Sequence, residues 1–341
     1  YLQQQSEFAD YNFEASGLSN ILDVLAYNTH LNGLIANIGI NESFLQSSQL
    51  RSSVVSHAEN LGYYPRSKTS SSIDVNISVS TSDTTTGSVT LPRNTVFTGS
   101  SDQVTYNFQT LEDNTAINDG LGNFVFKTSD NNTSISIKEG TQKTKTFLVG
   151  ETSENQTYVI PDENVDTTTL RVEVFDTATS SSFTTYTNVN NTLSIDPSST
   201  VYIIREVPNG YYELTFSDGT ILGQAPQAGN KIVVSYLATS GSAANEISTF
   251  EANNQITINS VSYDVTVTTP TGTFSSGGSE KESINSIKLN APVKFASQQR
   301  LVTAEDYKAL ILANYGNLID DVAAWGGNDN VPPKYGEVFV S

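Results

Sequence analysis

The sequence predicts a multidomain α+β protein, with an N-terminal helical bundle segment, central antiparallel β-rich domains and the start of a small α/β domain at the C-terminal end. Apolar residues recur at three- and four-residue spacing between Gly17 and Gly62. They alternate with polar residues from Ile73 to Val267, and helical spacing then returns ahead of two short strand-like runs. These shifts divide the chain into 1–68, helical and bundle-forming; 69–267, β-rich with two subdomains; 268–278, a linker; and 279–341, an α/β domain that is cut off at its end.

In the first segment Val24, Tyr27, Leu31, Leu34, Ile35 and Ile38 share one helix face, and Leu18, Ile21, Leu22 and Leu25 widen it. Asn28 sits inside that stripe. An apolar arc wider than a third of the circumference packs on two sides. A second helix carries Leu50, Val54, Ala58 and Leu61 on one face, with Gly62 as its stop. The segment is too short to build a good core alone. It packs on the rest of the chain, on another copy or on a partner, and a bundle with other chains is the favoured outcome. The candidate interface residues are Leu25, Tyr27, Leu31, Leu34, Ile35 and Ile38, with Leu50 and Val54 supporting.

In the second segment Ile73, Val75, Ile77 and Val79 alternate with polar residues. The same is true of Leu170, Val172 and Val174, of Tyr212, Leu214 and Phe216, and of Val261, Tyr263, Val265 and Val267. Strands with one solvated face are expected. Asn209-Gly210 and Asp218-Gly219 place one strand, Tyr211 to Ser217, between two tight turns. Loops are expected near 81–87, 118–123 and 150–157. Thr177 to Thr187 is either a long exposed loop or an edge strand.

Pro270, Gly272, Gly277 and Gly278 mark 268–278 as a domain boundary. Ser279 and Glu282 have capping-box spacing ahead of Ile284 and Ile287. Thr303 and Asp306 have it again, ahead of an apolar face that ends at Gly316. Ile319 to Ala324 and Glu337 to Val340 then suggest strands. Trp325-Gly326-Gly327 and Pro332-Pro333 form a stiff loop, in which Trp325 and Tyr335 are either an interface anchor or a small local core.

Composition narrows function. The 341 residues carry a net charge of -19, which argues against nucleic-acid binding through a basic face and against direct binding to an anionic membrane. Cys and Met are absent. No disulfide or thiolate chemistry is therefore expected, and the chain is expected to be an ordered piece of a longer protein. His30 and His57 are the only histidines and lie in predicted helices, without a catalytic motif around them. Asp113-Asn114 with Asn118-Asp119-Gly120 lacks EF-hand spacing. Asp320 and Asp321 are adjacent, so on a strand they face opposite sides. Gly277-Gly278 precedes a helix whose first turn already holds Glu280 and Glu282, which disfavours an anion there. No catalytic residue, cofactor or metal site is assigned, and an enzyme is not expected.

One group of motifs is more specific. Ala291-Pro292, then Gln299-Arg300 and the helix start Val302-Thr303-Ala304-Glu305-Asp306-Tyr307, resemble the baseplate J-like family, which builds the wedges of contractile phage tail baseplates. Asp10 to Glu14, Leu25 to Thr29, Asn41-Glu42-Ser43-Phe44, Leu50 to Val55, Gly62-Tyr63 and Pro65 to Lys68 look like the gene-6-type wedge proteins of T4-like phages. Phe216-Ser217-Asp218-Gly219 and Gly241-Ser242-Ala243-Ala244-Asn245 are similar to the same family. The ending, Trp325 to Gly336, is similar to versions from T4-like phages other than T4, such as those of cyanobacteria. The resemblance covers both ends and the centre; residues 80–200 carry no matching motif. It implies a structural subunit of the virion tail baseplate, assembled in the host cytoplasm. It further implies that helices of two copies join one from a gene-7-type wedge protein, with gene-25-type and gene-53-type proteins nearby, and that copies form a ring around the hub that rearranges on sheath contraction. The alternatives are a β-rich tail adhesin or glycan-degrading receptor-binding protein, and the equivalent subunit of a bacterial contractile injection system.

Overall fold

The computed structural model describes residues 17–150, 157–192, 194–217, 219, 223–298, 300–315, 319 and 321–341, and it has the expected multidomain α+β architecture. Helix α1 (Gly17–Glu42) is joined through an elbow, residues 43–50, to α2 (Arg51–Asn60). Gly62 ends α2 as expected. Its φ of 74° lets its N–H reach Glu59 O at 2.8 Å while the Tyr63 N–H reaches Ala58 O at 2.9 Å, the paired bonds of a Schellman stop. Val54, Val55, Ala58 and Tyr63 then pack on Ile287 and Ala291 of α3 (Ile284–Ser297) to form a small helical core.

The β-rich region holds two seven-stranded sheets. The first is built from β1 (Ser72–Ser80), β3 (Val96–Ser101), β4 (Val104–Thr110), β6 (Asn123–Val125), β7 (Ser134–Glu139), β15 (Phe250–Ala252) and β18 (Thr266–Thr268). Its order is β15-β3-β4-β7-β1-β18, with β6 also on β1. The second contains β8 (Thr141–Leu148), β9 (Thr157–Ile160), β10 (Val165–Phe175), β11 (Phe183–Asn188), β12 (Val201–Val207), β13 (Tyr211–Phe216) and β14 (Lys231–Ala238), ordered β8-β14-β10-β11-β12-β13-β9. Two small hairpin pairs complete the region, β2 (Ser88–Leu91) with β5 (Asn114–Ile117) and β16 (Gln255–Ile258) with β17 (Val261–Asp264). The second sheet is thus an insertion between β7 and β15 of the first. Thr141 and Ala238 are cross-strand partners, so the inserted chain enters and leaves side by side.

Alternation fixes the faces as expected. Ile73, Val75, Ile77 and Val79 point into the first core with Phe97, Phe108 and Phe124. Val172, Val174, Tyr212, Leu214 and Phe216 point into the second. Asn209 (φ 76°) and Gly210 (φ 72°) supply the positive-φ turn between β12 and β13. The other expected turn includes Asp218, which lies outside the described residues, as do most of the 150–157 loop, Gly316, Asp320 and the Asp10–Glu14 motif.

Four expectations change. The Val261–Val267 run divides at Val265: β17 closes a hairpin with β16, and β18 leaves it to pair with β1. Alternation reports a face and carries no information about the partner. The polar Thr177–Thr187 segment supplies β11, an interior strand, which is antiparallel to β10 and parallel to β12. The 268–278 segment runs back along the first domain, with Ser72 and Ser276 bridged and Ser275 buried. Finally, the cap of α3 is Ser283, whose hydroxyl accepts from Ser286 N at 3.2 Å. The expected pair is used elsewhere: Ser279 bridges Thr69, and the Glu282 carboxylate turns inward to accept from Tyr63 Oη (2.7 Å), Ser286 Oγ (2.7 Å) and Asn290 Nδ2 (3.1 Å).

In the C-terminal unit, α4 (Ala304–Tyr315) carries the expected capping box. Thr303 Oγ1 accepts from Asp306 N at 3.3 Å, and Asp306 Oδ2 accepts from Thr303 N at 2.7 Å. Strands β19 (Ala324–Gly326) and β20 (Val338–Val340) pair antiparallel. The first starts later than the apolar run suggested, at Ala324, where its pairing with Val340 begins.

Candidate partner-binding interface

Helix α1 is apolar and uncovered. Leu25, Tyr27, Leu31, Leu34, Ile35 and Ile38 are all exposed, from 39% for Leu31 to 68% for Tyr27, as are Ile21 and Val24. At about 100° per residue these side chains and Ala36 span a little over half of the circumference, with Asp23, His30, Asn37 and Asn41 on a polar strip outside it. Each uncovered Leu or Ile forgoes about 1.5–3 kcal/mol of burial. Packing, not propensity, supplies most of a helix's stability in a protein. A helix about 39 Å long at 1.5 Å per residue therefore has a long face to cover.

The helix is mounted firmly at its C-terminal end, where the Asn41-Glu42-Ser43-Phe44 motif lies. The Glu42 carboxylate accepts from Gln49 N at 2.8 Å and from Leu50 N at 3.3 Å, so it ties the residues leading into α2 to the end of α1. The Gln49 bond holds Glu42 below the usual carboxylate range. His57 Nε2 lies 2.8 Å from Glu42 O and donates to that carbonyl, tying α2 back to the end of α1. Ser47 Oγ donates to Asn41 O at 2.6 Å. Lys288 Nζ donates to Gln46 O at 3.1 Å, and Gln46 Nε2 lies 3.5 Å from Lys288 O, the carbonyl that Pro292 leaves without its helical N–H.

Below the elbow, α2 is bolted to the inserted sheet. Arg51 Nε and Nη2 meet Glu206 Oε1 and Oε2 at 2.7 and 2.9 Å, and Arg51 Nη1 donates to Glu282 O. An open cleft of about 670 Å³ beside this pair is lined by Leu50, Val55, Glu59, Arg205 and Lys281. Burial pushes the Tyr63 phenol up, and the Glu282 carboxylate beside it adds to the shift. Burial likewise lowers Lys294, which sits over the Tyr63 ring.

The sequence-derived residues divide accordingly. The six α1 residues lie on one exposed arc, and Leu50 is exposed at the elbow. Val54 is a correction: it is fully buried against α3, so it serves this chain's own core and presents nothing to a partner. Trp325 folds back, stacking on Phe339 at 6.0 Å and donating Nε1–H to Asn330 Oδ1 at 2.9 Å, whereas Tyr335 is 82% exposed. The Asp113–Gly120 carboxylates serve turns: Asp113 accepts from Arg93 N and Asp119 from Leu121 N, both at 2.7 Å. Gly278 is held by Asn245 through paired 3.0 Å bonds to its N–H and carbonyl, so its amide is occupied. Among the described residues, no cluster of three or more His, Cys, Asp or Glu has the arrangement to hold a metal ion, and no helix is long and apolar enough to cross a membrane. Sequence reasoning missed Arg51–Glu206 and the inward-turned Glu282, whose only signal was a charge beside apolar helix positions.

Comparison with known proteins agrees with this arrangement of segments. Residues 1–63 match the family model "Baseplate wedge protein gp6-like, helical domain", and residues 303–341 match "Baseplate structural protein gp6, C-terminal domain I". The chain is 28% identical to baseplate wedge protein gp6 of Enterobacteria phage T4 over 358 aligned residues. That alignment covers 98% of this chain and 51% of the relative, so the chain spans about half the relative's length. A search of solved structures returned a chain of the anti-feeding prophage baseplate, solved by cryo-electron microscopy, with 14% identity and a TM-score of 0.31 over 93% of this chain and 57% of that one. Matched at both ends by family models and along nearly all of its length by one relative, the chain is similar to the gene-6-type baseplate wedge proteins, and these matches support placing it among them.

Proposed function

We propose that this chain is a structural, non-enzymatic subunit of the baseplate wedge of a contractile phage tail, assembled in the host cytoplasm and carried in the virion. In this reading α1 joins the helix of a second copy and one from a gene-7-type wedge protein. Gene-53-type and gene-25-type proteins dock nearby. Copies from neighbouring wedges contribute to a ring around the hub, whose interfaces change arrangement on sheath contraction. The observation that carries the reading is the 26-residue helix α1, apolar over most of its circumference, uncovered, and held at a fixed angle by the Glu42–His57 elbow. The match of residues 1–63 to a baseplate wedge helical domain supports it.

The test is co-expression with the neighbouring virion genes, followed by native mass of what co-purifies. A complex of two copies with one larger partner is expected. Leu31→Asp with Leu34→Asp should abolish that complex and leave the two β-sheets folded, because both side chains are exposed in the lone chain. Wild-type recovery of partners by the double variant would refute the α1 assignment. A lone trimer that binds or cleaves host-surface glycan would replace the structural reading with that of an adhesin or glycan-degrading protein.

A further inference from the structure

The apolar arc of α1 contains two residues that do not belong in it. Counted at about 100° per residue, Asn28 lies near the middle of the arc, between Ile35 and Ile21, and Asn32 lies within it between Ile21 and Leu25. Asn37 lies about 180° from Asn28, on the polar strip. Asn32 Nδ2 donates to Asn28 Oδ1 at 2.9 Å, so the two amides form one polar unit along the helix. That bond leaves the Asn28 N–H groups and the Asn32 carbonyl oxygen without a bond to each other. When the surrounding arc is covered, these groups lose water and must find partners, because a buried amide left unpaired is destabilising.

We infer that Asn28 and Asn32 are the register-setting residues of α1, and that their partners are the same two residues in a second copy of this chain. A donor and an acceptor side by side are self-complementary, so an identical pair satisfies them without any other residue. Charge points to the same occupant. The chain carries a net charge of -19, which penalises contact between copies over most of its surface, but α1 has only Asp23 and Glu42 as acids and no Lys or Arg. Contact between two copies along this arc is therefore nearly free of like-charge repulsion, and the helix has no cation to offer an acidic partner. A single polar residue in an apolar helical seam is a known means of fixing register and copy number at some cost in stability. Sliding one helix by a turn would still set Asn28 of one copy against Asn32 of the other but would leave each copy's remaining amide facing Val24 or Ala36, so the unshifted register, which pairs both, is favoured.

This inference rests on the proposed role of α1, and the experiment separates the two. The chain has no Cys, so each introduced thiol is unique. Asn28→Cys, Asn32→Cys, Val24→Cys and Asn37→Cys are each made in the full chain, co-expressed with the neighbouring virion genes, and treated with a short bis-maleimide. Chain-to-chain linkage is expected to be near-complete at position 28 or 32, weaker at 24 and absent at 37. Linkage at 24 without linkage at 28 or 32 would overturn the register assignment and leave the role of α1 standing. Linkage at none of the four would overturn both. Asn28→Leu with Asn32→Leu supplies a second readout that does not depend on the thiol. The single native mass of the wild type should broaden into several species, and an unchanged single species would count against the inference.

Discussion

Arg51 is the residue on which the mounting of the helical segment turns. It opens α2 and crosses to β12, where its fork meets the Glu206 carboxylate at 2.7 and 2.9 Å. The Glu206 side chain is almost wholly buried and that of Arg51 mostly so. Bidentate geometry makes such a pair specific, and Lys cannot reproduce it. The energetic weight of the pair lies in what its loss leaves behind. Removing one partner strands a buried charge, which costs about 3–5 kcal/mol, whereas removing both with apolar replacements can be nearly neutral. Arg51→Leu should therefore lower the unfolding free energy by about 3 kcal/mol, and Arg51→Leu with Glu206→Leu should recover most of it. Urea denaturation of the three proteins checks this, and a double variant no more stable than the single one would refute the stranded-charge account. Nothing in the sequence links these residues, since 155 positions separate them. The Thr303–Asp306 box was legible because both of its bonds close within one turn.

Among the elements, what was legible follows the same rule of locality. Helices α1 and α2 declare themselves through apolar spacing and the Gly62 stop, and α4 through its cap. Strand β11 does not, because Phe183 and Tyr186 are its only large apolar side chains and it is held by neighbours on both sides. The cap of α3 was misplaced by local reasoning because Glu282, suitably spaced for Ser279, is claimed by Tyr63 from far along the chain. The exposed apolar arc of α1 was legible as a wide apolar stripe. The burial of Val54 was not, because helical spacing puts it on a face without saying that α3 covers that face. The α4 cap gives a clean test at this scale. The Thr303 N–H bond holds Asp306 below the usual carboxylate range, so both halves of the box are in force at neutral pH. Thr303→Ala should cost about 1 kcal/mol locally, which is roughly a fivefold loss of hydrogen-exchange protection in α4. The two large sheets should exchange as before. Equal loss across the sheets would mean that α4 is part of their cooperative unit.

For the whole molecule, the decisive arrangement is one β domain inserted within another. Alternation marked the strands of both, but β1 pairs with β18 across 192 positions, and no periodicity conveys a connection of that length. Two buried carboxylates flank the junction of the domains, and the second of them joins one to the other. Glu139, at the end of β7, accepts from Thr239 Oγ1 at 2.6 Å and from Ser240 N at 3.0 Å. Asp166, on β10, accepts from Ser70 N at 2.8 Å, and Ser67 Oγ is paired with Thr167 Oγ1 at 2.8 Å. Only the first staple lies wholly outside residues 141–238. Because Thr141 and Ala238 face each other across adjacent strands, the cut ends are about 5 Å apart and a two-residue Gly-Ser link can join Gly140 to Thr239. Replacing 141–238 by that link should leave the first sheet folded, since its core draws on 72–139 and 244–265 and takes nothing from the insertion. The Ser70 bond to Asp166 and the Arg51–Glu206 pair go with the insertion, but Ser70 and Arg51 then open to water, so no buried charge is stranded. Hydrogen exchange that still protects β1, β3, β4 and β7 in the shortened chain would show that the first sheet stands alone. Loss of protection throughout would show that the two sheets fold as one unit, and that the insertion is what holds the body of the chain together.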